Sequence, residues 1–274
     1  MIGEGAFSMW NMNLWTKITI VAALGICLWL PAAETQAANS WEWSVTPYLW
    51  TTSIGASVKE DGVVISDNDV AFTDLFSNLD FAFAFHAEGR RGRAGLLFDF
   101  FYVDLSISGT VPEHQDPGSP PPGSVVDLDI EQMILEGGGF YRLSGEETGL
   151  DLLFGLRWIG LDEVIDVTLP LPLNPTLTQK SSPSLTDGFL GLRYLGQIGN
   201  KWGYSIRGDV ATGGTELTLN GQAFFKYQIG QSGKYGLLLG YRYMNLEIKE
   251  KVEGVDIETD LTYSGPVFGF MFKW

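Results

Sequence analysis

His86 and His114 are the only imidazoles in the 274-residue chain. Hydrolytic chemistry near neutral pH would need one of them beside a carboxylate, with a hydroxyl or thiol nucleophile within reach. His86 lies in Phe85-His86-Ala87-Glu88-Gly89-Arg90, and Asp99 follows just past a turn. His114 lies in Glu113-His114-Gln115-Asp116, inside a proline-rich stretch with no periodicity. We read His86 as a hydrogen-bonding member of a charged row and His114 as a loop residue. The competing expectation is a hydrolase of protease- or lipid-modifying type with its active site at a rim. No G-x-S-x-G, P-loop, dinucleotide fingerprint or zinc spacing occurs, so no catalytic residue, cofactor or metal is expected. The single cysteine, Cys27, permits neither an internal disulfide nor a cysteine metal site.

The remaining charge chemistry follows one spacing. Glu42, His86, Glu88, Asp99, Arg157, Arg193, Arg207, Asp209, Lys226 and Arg242 each alternate with apolar or glycine neighbours, as do Arg142, Glu136, Asp151 and Lys273, and Arg90 continues the row of His86 and Glu88. A β-strand sends successive side chains to opposite faces, so these residues share one face of their strands. Leu190-x-Leu192-x-Tyr194 and Tyr235-x-Leu237-x-Leu239-x-Tyr241-x-Tyr243 show the apolar opposite face. The two signs nearly balance on the polar face, so most of the net charge of −16 belongs to connections. Such acidity argues against nucleic acid as a partner. The polar face reads as a lumen lining, either interlocked ion pairs or a narrow polar pore. Acidic connections read as solvated charge, with divalent-cation bridging to lipopolysaccharide phosphates as the rival reading.

About ten segments alternate in this way, with eight to twelve admissible, each near the length a tilted strand needs to cross a bilayer. Connections alternate between long acidic stretches (Gly55–Leu79, Gly109–Ser124, Asp162–Asp187, Lys249–Glu258) and tight turns at Arg91–Arg93, Ser144–Gly149, Gly199–Lys201 and Gly230–Lys234. Thr212–Glu216 reads as a short connection. The fold expected is all-β: a closed antiparallel transmembrane β-barrel with long extracellular loops and tight periplasmic turns. Thr73–Leu79 is expected to form one or two helical turns with Thr73 as N-cap, a candidate constriction at the mouth. Ile18–Leu30 is a short apolar run after Lys17, closed by Pro31 and small residues through Ala37. It reads as a cleavable signal peptide over 1–37, leaving 38–274 as the barrel domain.

The final residues place Phe268, Phe270, Phe272 and Trp274 on one face and Val267, Gly269, Met271 and Lys273 on the other. This resembles the C-terminal strand of bacterial outer-membrane barrels, where a terminal aromatic is read by the barrel-assembly machinery. The resemblance therefore implies an assembly signal in those four residues and that machinery as a partner during biogenesis. Trp43-Ser44-Val45-Thr46-Pro47-Tyr48-Leu49-Trp50, the stretch from Phe72-Thr73-Asp74-Leu75 through Arg90-Arg91-Gly92-Arg93-Ala94-Gly95-Leu96-Leu97-Phe98-Asp99, and Ser264-Gly265-Pro266 extend the likeness. Together they are similar to an uncharacterised family of small, porin-like Gram-negative outer-membrane β-barrel proteins. The resemblance implies an outer-membrane location, with lipid and lipopolysaccharide as surroundings, and bears on fold and location only. A non-enzymatic envelope role follows as the expectation, either a narrow pore or a surface-binding barrel. Oligomeric state is left open.

Overall fold

A sheet that closes on itself has an inside and an outside, and period-two alternation assigns every side chain to one of them. The computed structural model describes residues 40–112, 120–170, 175–252 and 255–274. The expected signal peptide, Cys27 and His114 lie outside those residues. The chain divides into Met1–Ser40 and Trp41–Trp274, and the second unit is the barrel. Its strands are β1 (Glu42–Trp50), β2 (Ser53–Glu60), β3 (Val63–Val70), β4 (Leu79–Arg91), β5 (Ala94–Thr110), β6 (Val125–Arg142), β7 (Gly149–Thr168), β8 (Thr176–Ser181), β9 (Ser184–Ile198), β10 (Trp202–Gly213), β11 (Leu217–Ile229), β12 (Tyr235–Val252) and β13 (Val255–Lys273). One helix, α1 (Phe72–Ser77), precedes β4.

Ten of these strands form a closed antiparallel ring, β1-β4-β5-β6-β7-β9-β10-β11-β12-β13, and β13 returns to β1. At the seam Val45 lies opposite Phe272 and Leu49 opposite Phe268. Trp43 and Trp274 exchange two backbone hydrogen bonds, of 2.9 and 3.0 Å. Pro47 has no N–H to donate, and the β1–β13 ladder carries no pair between Val45↔Phe272 and Tyr48↔Gly269, the interval in which Pro47 falls. On its other side Pro47 sits opposite Phe85 of β4.

The tight turns behave as read. Gly92 opens a two-residue hairpin at φ +60°, and Gly199 begins the β9–β10 turn at φ +62°. Both are left-handed backbone positions that glycine enters without steric cost.

The long side differs from expectation in several ways. Much of what reads as acidic loop is strand. β7 continues to Thr168 and pairs with β8, while β12 and β13 stay paired as far as Val252 and Val255. β2 and β3 form a hairpin that adds to the upper edge of β13. These extensions stand above the length a bilayer requires. Both of their faces meet water, so the apolar alternation that marks the lower strands is absent there. The β10–β11 connection is short although it lies at the long end, and β10 and β11 are among the shorter ring strands. The rim is therefore low on that side and tall at β5–β8 and β12-β13-β2-β3. The N-cap lies two residues earlier than expected, at Ala71 with no side-chain cap; Thr73 does not cap the helix.

The exterior is apolar around the ring. Leu156, Leu190, Ile206, Leu239 and Phe268 are each half exposed or more. Near the tight-turn end the outward residues become aromatic: Trp41 stacks on Trp43 at 5.5 Å, Trp202 meets Tyr227 at 4.8 Å, and Tyr235 meets Phe272 at 6.1 Å. An apolar band edged by aromatics is what a hydrocarbon slab and its headgroup boundary select. Among the described residues no helix is long and apolar enough to cross a membrane.

Candidate functional site: the charged lumen

The inward rows bring the predicted charges together. Arg142 and Arg193 both hold Asp151, Arg193 Nη2 at 3.0 Å from Oδ2. Arg193 also binds Glu88. Glu88 Oε1 lies 2.9 Å from His86 Nε2, and His86 Nδ1 lies 3.1 Å from Asp99 Oδ2. Asp99 Oδ1 accepts from Tyr48 Oη at 2.9 Å and from Arg242 Nη1 at 3.1 Å. Arg242 Nε donates to Asn220 at 3.3 Å, and Asn220 Nδ2 donates to Asp209 at 2.7 Å. Asp209 bridges Arg157 (2.6 Å) and Arg207 (2.7 Å), and both arginines reach Glu136, at 2.7 and 2.6 Å. One connected network thus crosses the lumen from β6 to β12.

Its charges nearly match: carboxylates at Glu88, Asp99, Glu136, Asp151 and Asp209 face guanidiniums at Arg142, Arg157, Arg193, Arg207 and Arg242, with the His86 imidazole between Glu88 and Asp99. Matching is required, because a buried charge left alone costs about 3–5 kcal/mol. Four guanidiniums also lie over aromatic faces. Arg193 covers Phe140 at 4.8 Å, Arg242 covers Trp50 at 4.7 Å, and Arg157 and Arg207 share Phe189 at 5.5 and 5.4 Å.

The layering can be read along individual strands. One inward step toward the long-connection end from Asp99, Glu136, Arg157 and Arg242 stand Phe101, Ile134, Ile159 and Met244. These belong to an apolar cluster with Trp50, Leu246, Tyr263 and Val267. Charged layer and apolar layer are stacked across the bore. The recurring glycines in Gly155-Leu156-Arg157 and Gly240-Tyr241-Arg242 explain how both fit. A Cβ at Gly155 would strike the Phe189 ring, and one at Gly240 would strike the Phe224 ring and the Ala223 carbonyl. The room these glycines leave is taken by the rings of the lumen aromatics Phe189 and Phe224.

What remains open within the network is small. A cavity of about 60 Å³ lies among His86, Glu88, Asp99, Arg193, Arg207 and Lys226. Glu42, Arg90 and Lys226 line the tight-turn mouth, outside the ion-pair network. Arg90 donates to the backbone carbonyls of Gly92 (2.9 Å) and Glu146. Phe268, Phe270, Phe272 and Trp274 line the outward face of β13, with Phe270 and Phe272 rings 4.9 Å apart.

Several contributors escaped the sequence reading. Tyr48 and Asn220 complete the network, and Gln132 Nε2 donates to Tyr263 Oη at 2.7 Å in the apolar layer. Asp187 is fully buried and accepts from Thr215 N (2.9 Å), Thr215 Oγ1 (2.8 Å) and Thr218 Oγ1 (3.0 Å), pinning the short β10–β11 connection. The sequence reading ended the Asp162–Asp187 connection on it, whereas it lies within β9. α1 folds its Leu75 inward against an apolar pocket shared with Trp50, Ile54, Ala82 and Phe101, beside the top of β1 and β4. Among the described residues no group of three or more His, Cys, Asp or Glu side chains converges to hold a metal ion.

No family profile matches the chain, and no curated protein does. Solved structures do. The outer membrane protease OmpT from Escherichia coli is 8% identical, with a TM-score of 0.45 over 88% of this chain and 99% of that one. The translocator domain of the autotransporter NalP from Neisseria meningitidis is 12% identical, with a TM-score of 0.44 over 93% and 94%. Ail, the attachment invasion locus protein of Yersinia pestis, is 13% identical, with a TM-score of 0.29 over 83% and 98%. Likeness at this level assigns no activity, and the barrel stands on its own ladder of paired strands.

Proposed function

We propose that this chain is an outer-membrane barrel with a non-enzymatic envelope role, closed to ion flow and acting through its tall long-side hairpins as a surface-binding element. The observation that carries this reading is the connected ion-pair network, capped one step higher by an apolar layer. A pore needs a water-filled path, and here the bore is spanned by side chains whose charges already satisfy one another. The apolar exterior and aromatic rim support insertion in a Gram-negative outer membrane, with lipid and lipopolysaccharide around the wall. The aromatic face of β13 supports a role for Phe268, Phe270, Phe272 and Trp274 as the assembly signal. Both nitrogens of His86 face carboxylates, which leaves neither to activate a hydroxyl and favours the non-enzymatic role over a hydrolase.

The test is planar-bilayer recording of refolded residues 38–274. The expected result is no discrete conductance in symmetric salt, with the same protein retained in the membrane. Stepwise, salt-dependent currents would overturn the sealed-lumen reading and favour a narrow pore.

A further inference from the structure

The tight-turn mouth opens into a chamber of about 400 Å³. Its wall carries Arg90, Lys201, Lys226 and Lys273 against Glu42 and Glu147. This is an excess of positive charge in a chain whose net charge is −16. The bases are also uncommitted. Among the described residues neither Lys226 nor Lys273 forms a salt bridge. The guanidinium of Arg90 spends its donors on two backbone carbonyls rather than on a carboxylate. Lys226 and Met271 line both this chamber and the inner cavity, so the chamber ends at them and Lys226 forms its floor. Every carboxylate of the network above is already paired with arginine, which leaves Glu42 and Glu147 on the chamber wall to set against its four bases. A concave, low-dielectric wall of one sign concentrates the opposite ion.

We propose that this chamber is a binding site for a small polyvalent anion carrying carboxylate or phosphate groups. Lys226 and Lys273 supply point charges, and Arg90 and the Gln228 amide stand at the wall beside them. The volume suits a ligand of the size of a di- or tricarboxylate or a diphosphate. Only the direction from which the ligand arrives, the periplasm, rests on the proposed outer-membrane orientation; the site itself does not.

The experiment is calorimetric titration of the refolded barrel in neutral detergent with pyrophosphate and, separately, with citrate, and with maltose as the uncharged control. One-to-one binding of either anion is expected, weakening as salt is raised, with none for maltose. Lys226→Gln with Lys273→Gln should lower affinity about tenfold or more, Glu42→Gln should raise it two- to threefold, and Lys249→Gln on the β12–β13 hairpin should leave it unchanged. The gain expected of Glu42→Gln cannot come from misfolding. Pyrophosphate alone would assign phosphate chemistry, and citrate alone would assign carboxylate chemistry. No binding of either anion to folded barrel, or equal binding by the double lysine variant and the parent, would overturn the proposal. Neither outcome bears on conductance, so failure here is separable from failure of the sealed-lumen reading.

Discussion

Arg157 is the residue whose loss tests the lumen network most directly. It is fully buried, donates to Glu136 Oε2 through Nη2 (2.7 Å) and Nε (3.2 Å), and to Asp209 Oδ1 through Nη2 (2.6 Å). Arg157→Leu keeps apolar bulk but leaves five network carboxylates facing four guanidiniums. Removing one partner of a buried pair typically costs about 3–5 kcal/mol. Two compensations place this case near the low end: Arg207 still reaches Glu136 at 2.6 Å and Asp209 at 2.7 Å, and Asn220 still donates to Asp209. We expect a loss of about 3 kcal/mol, roughly a hundredfold in the folding equilibrium. Urea unfolding of the refolded barrel, followed by tryptophan fluorescence, reads this as a midpoint lowered by roughly 1–2 M at unchanged slope. Arg157→Lys should lose less charge balance but still lack the two-carboxylate fork. Arg157→Leu combined with Glu136→Leu should cost less than the two single changes added together, because the second change removes the stranded carboxylate. A single-variant loss under about 1 kcal/mol, or strict additivity, would refute the claim that the lumen is held by mutual neutralisation.

Three further outcomes follow from the geometry. Phe268→Arg, on the outward face of β13, should cost about 2–4 kcal/mol in lipid, while Met271→Leu on the inward face should cost under about 1.5 kcal/mol; equal losses in urea titration would contradict the facing. Gly240→Ala forces a methyl against the Ala223 carbonyl and the Phe224 ring, and should lower stability by about 1–3 kcal/mol, read as a lowered thermal midpoint. Leu75→Ala, which strips α1 of its buried anchor, should cost about 2 kcal/mol locally and expose 72–77 to protease while the strands stay protected.

The lower barrel was legible because lipid outside and packed charge inside impose opposite chemistries on alternate residues. Leu190, Leu192 and Tyr194 against Gly191 and Arg193 leave one orientation for β9. The lumen-facing charges followed from the same rule. Their partnerships did not, because Tyr48–Asp99 and Arg242–Asp99 join residues far apart in the chain, and no period along a strand encodes which charge meets which across a bore. Above the bilayer the rule lapses. Lys59–Asp260 (2.9 Å) and Lys251–Asp256 (3.0 Å) stitch wet hairpins whose two faces look alike in sequence, so β2, β3, β8 and the upper parts of β7, β12 and β13 read as loops. The missed capping of α1 has a similar cause: Ala71 offers no side-chain signal, and Thr73 offered a false one.

The paired backbones of Trp43 and Trp274 place the first and last strands of the ring side by side. Closing a flexible loop of roughly 230 residues costs about 5 kcal/mol of chain entropy, so this seam carries the most expensive pairing in the molecule. A short peptide joining the two edges would turn that pairing into a local hairpin, and fresh ends could then be cut at the Gln231–Gly233 turn. Such a circularly permuted chain should insert faster than the parent, with β1 and β13 as its earliest hairpin and the former β11–β12 hairpin as its final closure.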